Sequence, residues 1–209
     1  ARVLKLRGHE PVIHEQTDHL GGTFIAASAE SYKGKLRDLL TWYRKQMTDL
    51  GIEIHYNEKV ESIASFAGAP VIIATGAVPR VLKKVPGHEK MVEACEYLTG
   101  TPVGEKVAVI GGGMVGCETA EYLAARGCKV SVIEMMDKIA AGESTTILPT
   151  LLENYKTYGV EQYPSHKVKE FRMDAVVCEN KDGAEVTIPC DYIVLAMGAR
   201  SNAVDAAAL

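Results

Sequence analysis

Nowhere does the sequence run for the roughly 20 apolar residues that a membrane-spanning helix needs, and its first residues lack the charged, apolar, small-residue order of a secretion signal. A cytoplasmic chain with no membrane partner is the expectation. Positive charge is in deficit as well, with 23 Lys and Arg against 27 Asp and Glu for a net charge of -4. No basic face with interleaved aromatics is visible, so a nucleic-acid partner is not expected. The five cysteines (Cys95, Cys117, Cys128, Cys178 and Cys190) are an odd number without CxxC spacing. That pattern suggests neither a disulfide framework nor a metal site, and leaves packed free thiols as the expected state.

What is present is an ordinary globular composition, 47% hydrophobic and 24% charged over 209 residues, enough chain for one or two modest domains. Residues 1–8 have the pattern of a helix end closed by Gly8, and PVIHE (11–15) that of a short strand ending on an acid, followed by the loop QTDH and Gly21-Gly22. Leu36, Leu39, Leu40, Tyr43 and Met47 recur at offsets of three and four, which predicts a helix over 35–50 stopped by Gly51. IEIHY (52–56) alternates as a half-buried strand does, and VIIA (71–74) is a continuous apolar run expected as a second sheet strand. A short helix is expected over 91–98, and the Gly100-Thr101-Pro102 break predicts a domain boundary. The expected division is therefore 1–100, 101–190 and a return segment, 191–209.

Beyond the break the pattern alternates strand and helix: VAVI (107–110), a helix over 114–125, VSVIE (130–134), and a helix over 146–158 with Leu148, Leu151, Leu152 and Tyr155 as its buried stripe. Short alternating runs around Val168, Val176-Val177 and Val186–Ile188, with a turn at Lys181-Asp182-Gly183, predict an antiparallel ribbon before YIVLA (192–196). The order strand, acid, loop, helix, strand, VIIATGA in the first half returns as VSVIE, helix, ribbon, IVLAMGA in the second. Two related nucleotide folds would produce that echo.

The residues that carry chemistry follow the strand VAVI: Gly111-Gly112-Gly113-Met114-Val115-Gly116 satisfies GxGxxG between a strand and a helix. In that context the first glycine permits a tight turn, the second lets a pyrophosphate approach the backbone, and the third lets helix and strand pack closely. The positive end of the helix then faces the phosphate charge. Glu134 ends the next strand, 134 − 111 = 23 residues past the first glycine, near the spacing of about 20 at which a carboxylate accepts ribose hydroxyls. A 2′-phosphate would meet like charge there with no arginine in Met135-Met136-Asp137 to offset it, so NADH is favoured over NADPH. Two plainer readings stand beside these: a glycine-rich connection that binds nothing, and a solvated strand-end carboxylate. Cys117 is read as a packed thiol in preference to a helix-end thiolate, since no partner cysteine is near it in sequence.

Taken together, VAVIGGGMVGCETAEYLAARGCKVSVIE, VIIATGAVPR and IVLAMGARSN resemble the two-dinucleotide-binding flavoprotein reductases. More narrowly, GGGMVGCETAEYLA and HEQTDHLGGTF resemble the C-terminal portion of the enoate and 2,4-dienoyl-CoA reductases, relatives of old yellow enzyme. The resemblance implies an α/β, Rossmann-like fold in which an FAD domain, split in sequence, surrounds an NAD(H)-binding βαβ domain. It implies electron flow from NADH to FAD and on through an iron-sulfur (4Fe-4S) cluster to FMN in a separate barrel, ending at an activated C=C bond. By the same resemblance Glu15 would meet the FAD ribose, Gly21, Gly22 and Thr23 would run along the FAD, and Val60 would approach the adenine through its backbone. Ala74, Thr75 and Gly76 would form one crossing between domains, and Gly198 the second. No catalytic side chain is assigned, because hydride transfer between two rings chiefly needs them stacked and aligned.

The chain departs from that family in ways that bear on function. The strand and glycine turn expected ahead of Glu15 are absent, so the FAD domain is expected to be incomplete and FAD binding weak, with NADH binding kept. FMN and the iron-sulfur cluster are expected only in a missing N-terminal part, the remainder of a parent reductase. Self-association is left open. Two rival readings remain, an NADH oxidase or disulfide-type reductase, which usually keeps a redox cysteine where residues 1–90 have none, and a non-catalytic ADP-binding module.

Overall fold

The structure, a computed structural model, describes residues 1–66, 68–98, 100, 104–142 and 144–202. Thr101 and Pro102, on which the expected boundary falls, lie outside the described residues. The chain divides into two compact units, Ala1–Val78 with the return from Ser201, and Pro79–Arg200. No helix among the described residues is long and apolar enough to cross a membrane.

In the first unit α1 (Arg2–Leu6) leads to β1 (Val12–His14), α2 (Thr23–Ala27), α3 (Gly34–Asp49) and β2 (Glu53–His55). Leu40 and Met47 of α3 are buried and Gly51, at φ +59°, turns the chain out of the helix. The return through α3 makes the two strands parallel, with His14 opposite His55. The run 71–74, expected as a strand, joins no ladder among the described residues, and Val71 and Ile72 are exposed. A strand needs a neighbouring chain to take its N–H and C=O groups, and β1–β2 is a sheet of two strands only.

Past β3 (Ala77–Pro79), which lies on the crossing from the first unit, the second unit takes in β4 (Met91–Glu93), α4 (Ala94–Leu98), β5 (Lys106–Ile110), α5 (Met114–Ala125), β6 (Lys129–Ile133), α6 (Leu148–Tyr158) and β7 (Glu161–Tyr163). It continues through β8 (Lys167–Phe171), β9 (Ala175–Glu179), β10 (Glu185–Pro189), β11 (Tyr192–Leu195) and β12 (Ala199–Ser201), the last on the crossing back, where it pairs with β3. The central sheet is parallel throughout in the order β4-β11-β5-β6-β7. It therefore includes Met91–Glu93 and Tyr192–Leu195, and the unit is wider at both ends than the expected 101–190. Met91–Glu93 is strand where helix was expected, because its partner β11 lies far along the chain and leaves no local trace.

Three layers follow from the period of two in these strands. Val107 and Val109 of β5 and Val130 and Val132 of β6 turn to Leu123, Leu151 and Tyr155 on the helices. Ala108, Ile110, Ile193 and Leu195 turn the other way, to Phe171, Val176 and Ile188 of the antiparallel sheet β10-β9-β8. Strands covered on both faces read as near-continuous apolar runs, which is why VAVI and YIVL show no alternation; the one polar residue of VSVI, Ser131, donates its hydroxyl to Glu161. The ribbon turns at Gly183, φ +79°, where Asn180 Oδ1 accepts the N–H groups of Asp182 and Ala184. On α6, Leu151 and Tyr155 are buried but Leu152 is 40% exposed; the stripe runs 148, 151, 155 and Leu152 falls on its flank.

The segment before β4 packs Leu82 and Val85 against the cluster that contains Phe171 and Val176, and backbone ties it to the ribbon as well. Phe171 N–H donates to the Pro86 carbonyl at 2.9 Å, and a Cβ on Gly87, whose φ is +80°, would lie 2.0 Å from the Phe171 carbonyl oxygen. Gly87→Ala therefore combines a left-handed strain of about 1 kcal/mol with a main-chain clash, for an expected loss of about 3 kcal/mol in urea unfolding. Gly183→Ala, equally left-handed at φ +79° but with nothing within 4 Å, should lose only about 1 kcal/mol. Equal losses would contradict the contact.

Candidate functional site

The sheet reverses direction of growth at β5, with β6 added on one side and β11 on the other. A crevice opens at such a switch point beyond the carboxyl ends of the strands, and Gly111–Gly116 lies there. Gly111 adopts φ +106°, and a Cβ on it would be 2.5 Å from the Ala196 carbonyl oxygen at the end of β11. Its N–H donates to Ile133 O at 2.9 Å. Gly116 is pressed more tightly still: a Cβ there would meet the Gly111 carbonyl oxygen at 1.8 Å. Side-chain-free positions at 111 and 116 are what let α5 close on β5.

Gly113 differs from both. Its φ of -78° is open to any residue, it is exposed, and nothing lies within 4 Å of where its Cβ would be. It is the first residue before α5, which has no side-chain cap and no acid in its first turn. The leading N–H groups of a helix lack intrahelical partners and carry its positive dipole end. With Met114 and Val115 exposed beside it, this start is free to receive an anion that comes close to main chain.

Glu134 closes the other side. Its Oε2 accepts the Gly112 N–H at 2.7 Å and its Oε1 accepts the Met136 N–H at 2.8 Å. The expected sugar-binding acid is thus aimed at the turn and fixes its shape, and each oxygen keeps a second lone pair for an outside donor. The Gly112 carbonyl accepts the Ala140 N–H at 2.7 Å, so the loop 134–140 is pinned at both ends to one residue. Gly112 itself is buried, with Ile139 and Glu134 where a side chain would go.

The first unit repeats this acid-and-loop geometry. Glu15 N–H donates to His55 O at the end of β2, and Glu58 N–H donates to Glu15 O; Glu134 N–H donates to Tyr163 O at the end of β7, and His166 N–H donates to Glu134 O. Both carboxylates accept the N–H two residues on, Thr17 and Met136. Asn57 and Ser165, left-handed at φ +56° and +57°, donate to the carbonyls of Thr17 and Met136. Further on, Gly76 and Gly198 share φ +72° and +76°, and the N–H four residues after each one donates to the other's carbonyl: Arg80 to Gly198 and Asn202 to Gly76. Sequence reasoning saw the coarse echo but missed Asn57, Ser165 and Ala140. A direct overlay of GIEIHYNEKV (51–60) on GVEQYPSHKV (159–168), which share Gly, Glu, Lys and Val in place, would have found the first two.

The remaining expected residues fall as follows. Gly21, Gly22 and Thr23 start α2, with Gly22 just ahead of its first turn, and no hydrogen bond among the described residues links them to Glu15. Val60 is half-buried in the loop joined to Glu15 by Glu58. Ala74, Thr75 and Gly76 are exposed, and Thr75 Oγ1 donates to the Asn202 carbonyl. Burial, with Glu93 adding to it, pushes the Cys95 thiol up to about 11. Burial likewise raises Cys178 to about 12 and Cys190 to about 11, so these thiols are neutral at pH 7 and poor nucleophiles. Among the described residues no three of His, Cys, Asp and Glu are grouped to hold a metal ion.

Comparison with known proteins gives this geometry a context. The family model for pyridine nucleotide-disulphide oxidoreductase matches residues 64–209. The bilirubin reductase of Mediterraneibacter gnavus is 38% identical over the whole chain, which spans 33% of that protein. The NADH oxidase of Thermoanaerobacter brockii is 33% identical over 92% of the chain and 31% of its own length. A solved complex of 2-naphthoyl-CoA reductase superposes with a TM-score of 0.86 and 26% identity over 97% of this chain and 31% of that one. The chain thus spans about a third of the length of these relatives.

Gly116 and Gly113 separate packing from access, and mutation should show it. Gly116→Ala, forced against the Gly111 carbonyl, should lose more than about 3 kcal/mol of stability. Gly113→Ala should stay within about 0.5 kcal/mol of the parent. Thermal and urea unfolding of both check it; a strongly destabilised Gly113→Ala would mean that the space over Gly113 is not free.

Proposed function

The chain belongs to the pyridine nucleotide-disulphide oxidoreductase family, and on that premise we propose that Gly111–Gly116 and Glu134 bind NADH as part of a larger flavin-dependent reductase. The observation that carries the reading is the open main chain at Gly113, at the uncapped, acid-free start of α5. A pyrophosphate placed there would accept the leading N–H groups of the helix. The adenosine ribose would donate its hydroxyls to the lone pairs that Glu134 has left over. The nicotinamide would supply a hydride and a bound FAD would accept it; this chain's part is to hold, orient and select the donor.

Selection follows from charge. A 2′-phosphate would lie against a carboxylate already tied to two main-chain N–H groups and unable to turn away without releasing the turn. NADH is therefore preferred over NADPH.

For FAD the fit is partial. Glu15, with the loop that carries Asn57 and Val60, repeats the Glu134 arrangement and supports a second adenosine site. Oε1 of Glu15 is taken by the N–H and hydroxyl of Thr17, and no counterpart of the 111–116 turn occurs among the described residues of that unit. We assign Ala74–Gly76 and Gly198, which lie near the two crossings, to the domain junction that the resemblance implies, and Gly21, Gly22 and Thr23, at the start of α2, to the FAD. We assign the missing phosphate loop, the FMN and the iron-sulfur cluster to the remainder of a parent reductase, a reading supported by relatives about three times as long. Bilirubin and 2-naphthoyl-CoA, named in two of the relatives, are conjugated compounds, which supports a final acceptor with an activated C=C bond.

A second reading, an NADH oxidase, is favoured by the relative of that name; oxygen uptake by the parent polypeptide without an organic acceptor would support it. Disulfide chemistry is disfavoured by the raised thiols and by the lack of cysteine before Cys95. A purely ADP-binding module would bind NADH and never pass on its hydride.

Calorimetric titration of the chain should show NADH bound more tightly than NADPH. Gly113→Ala should weaken NADH at least tenfold without unfolding the chain, since a methyl occupies the approach. Loss of a charge-assisted pair in Glu134→Ala should weaken NADH about tenfold and narrow the gap to NADPH. Silence from both nucleotides, or a clear preference for NADPH, would defeat the reading.

A further inference from the structure

Behind the turn, on the side away from the open face of Gly113, runs a chain of buried polar contacts that direct nucleotide binding does not use. Tyr155 on α6 is completely buried and donates its hydroxyl to the Cys117 carbonyl at 2.9 Å. Cys117, in the first turn of α5 and itself buried, donates its thiol to the Gly112 carbonyl at 3.3 Å. That carbonyl also receives the Ala140 N–H, and the N–H of the same residue goes to Glu134. The path thus leads from the middle of α6 to the acid that faces the crevice in three contacts, with Ala140 joining it at the Gly112 carbonyl.

Packing alone does not call for this arrangement. Phenylalanine would fill the volume of Tyr155, and a buried hydroxyl is unfavourable unless it is bonded. What the hydroxyl adds at this position is its bond to the first turn of α5. Burial also pushes the Tyr155 hydroxyl well above the ordinary tyrosine range, so it remains a donor at any working pH. At the other end Ala140 holds a left-handed φ of +56° while 2% exposed, a strained conformation that persists where its surroundings over-determine it.

We infer that Tyr155 and Cys117 form a strut that positions the Gly112–Gly113 main chain and the first turn of α5 for the pyrophosphate of the dinucleotide. This is a positioning role, and it rests on the NADH reading above. The strut fixes how far α5 stands from the end of β5, and so where the leading N–H groups point when the phosphate arrives.

The test uses the intact chain at 25 °C with NADH and adenosine as probes, on Tyr155→Phe, Cys117→Ala and Cys117→Ser. Each of the first two should weaken NADH about fivefold, the equivalent of one lost hydrogen bond. Cys117→Ser, which restores a donor to the Gly112 carbonyl, should return to within twofold of the parent. Adenosine, which has no phosphate, should bind all four proteins alike. A variant merely less stable remains almost wholly folded at this temperature and would bind NADH as the parent does; that result, or equal weakening of NADH and adenosine, overturns the strut. If the parent itself fails to bind NADH, the nucleotide reading falls first and the strut with it.

Discussion

One residue, Gly112, holds the site together. The N–H of Gly112 is bound by Glu134 at the end of β6, its carbonyl by the N–H of Ala140 and the thiol of Cys117, and its Cα leaves no space for a side chain. Through it the ends of two parallel strands, the start of a helix and the loop after β6 are tied to the same few atoms. The glycines on either side do different work. Gly111 and Gly116 are needed because carbonyl oxygens occupy the places of their side chains, whereas Gly113 is needed only if something arrives from outside. That asymmetry separates a site from a merely tight turn.

The acid has a double duty that residue spacing does not express. A carboxylate 23 residues beyond the first glycine marks a sugar-binding position, but nothing in that spacing says that its oxygens already hold Gly112 and Met136. On the proposed reading, charge that organises the main chain and charge that would meet the ligand reside in the same group. On the same reading, selectivity between nucleotides would be a property of a fixed structure, since Glu134 could not retreat from a phosphate without releasing Gly112 and Met136.

What could be read in advance follows the range of the forces involved. Helix α3 was legible because Leu40 and Met47 sit on one face at local spacing, and β5 and β6 because strands covered on both sides are mostly apolar. The ribbon β8–β10 was legible from alternation and from the Asn180–Gly183 turn. Met91–Glu93 was not, since its strand character comes from β11 about a hundred residues on. VIIA at 71–74 shows the converse, a strand-like composition with no partner in the described structure. In the site, Gly111, Gly113, Gly116 and Glu134 carried a local signature, while Ala140, Ser165 and Tyr155 act through contacts that only the folded chain brings about. The duplication was open to view: the Asn57 and Ser165 loops align in the sequence once their flanking Gly, Lys and Val are matched.

The central claim is that an anion docks on bare main chain at the start of α5 while Glu134 takes a sugar. Amide chemical shifts of the ¹⁵N-labelled chain during addition of NADH address it directly. The account predicts that the largest movements fall on Gly112, Gly113, Met114, Val115 and Met136, with Val176–Cys178 in the ribbon unmoved. Saturable shifts centred anywhere else, with that set unchanged, would contradict it.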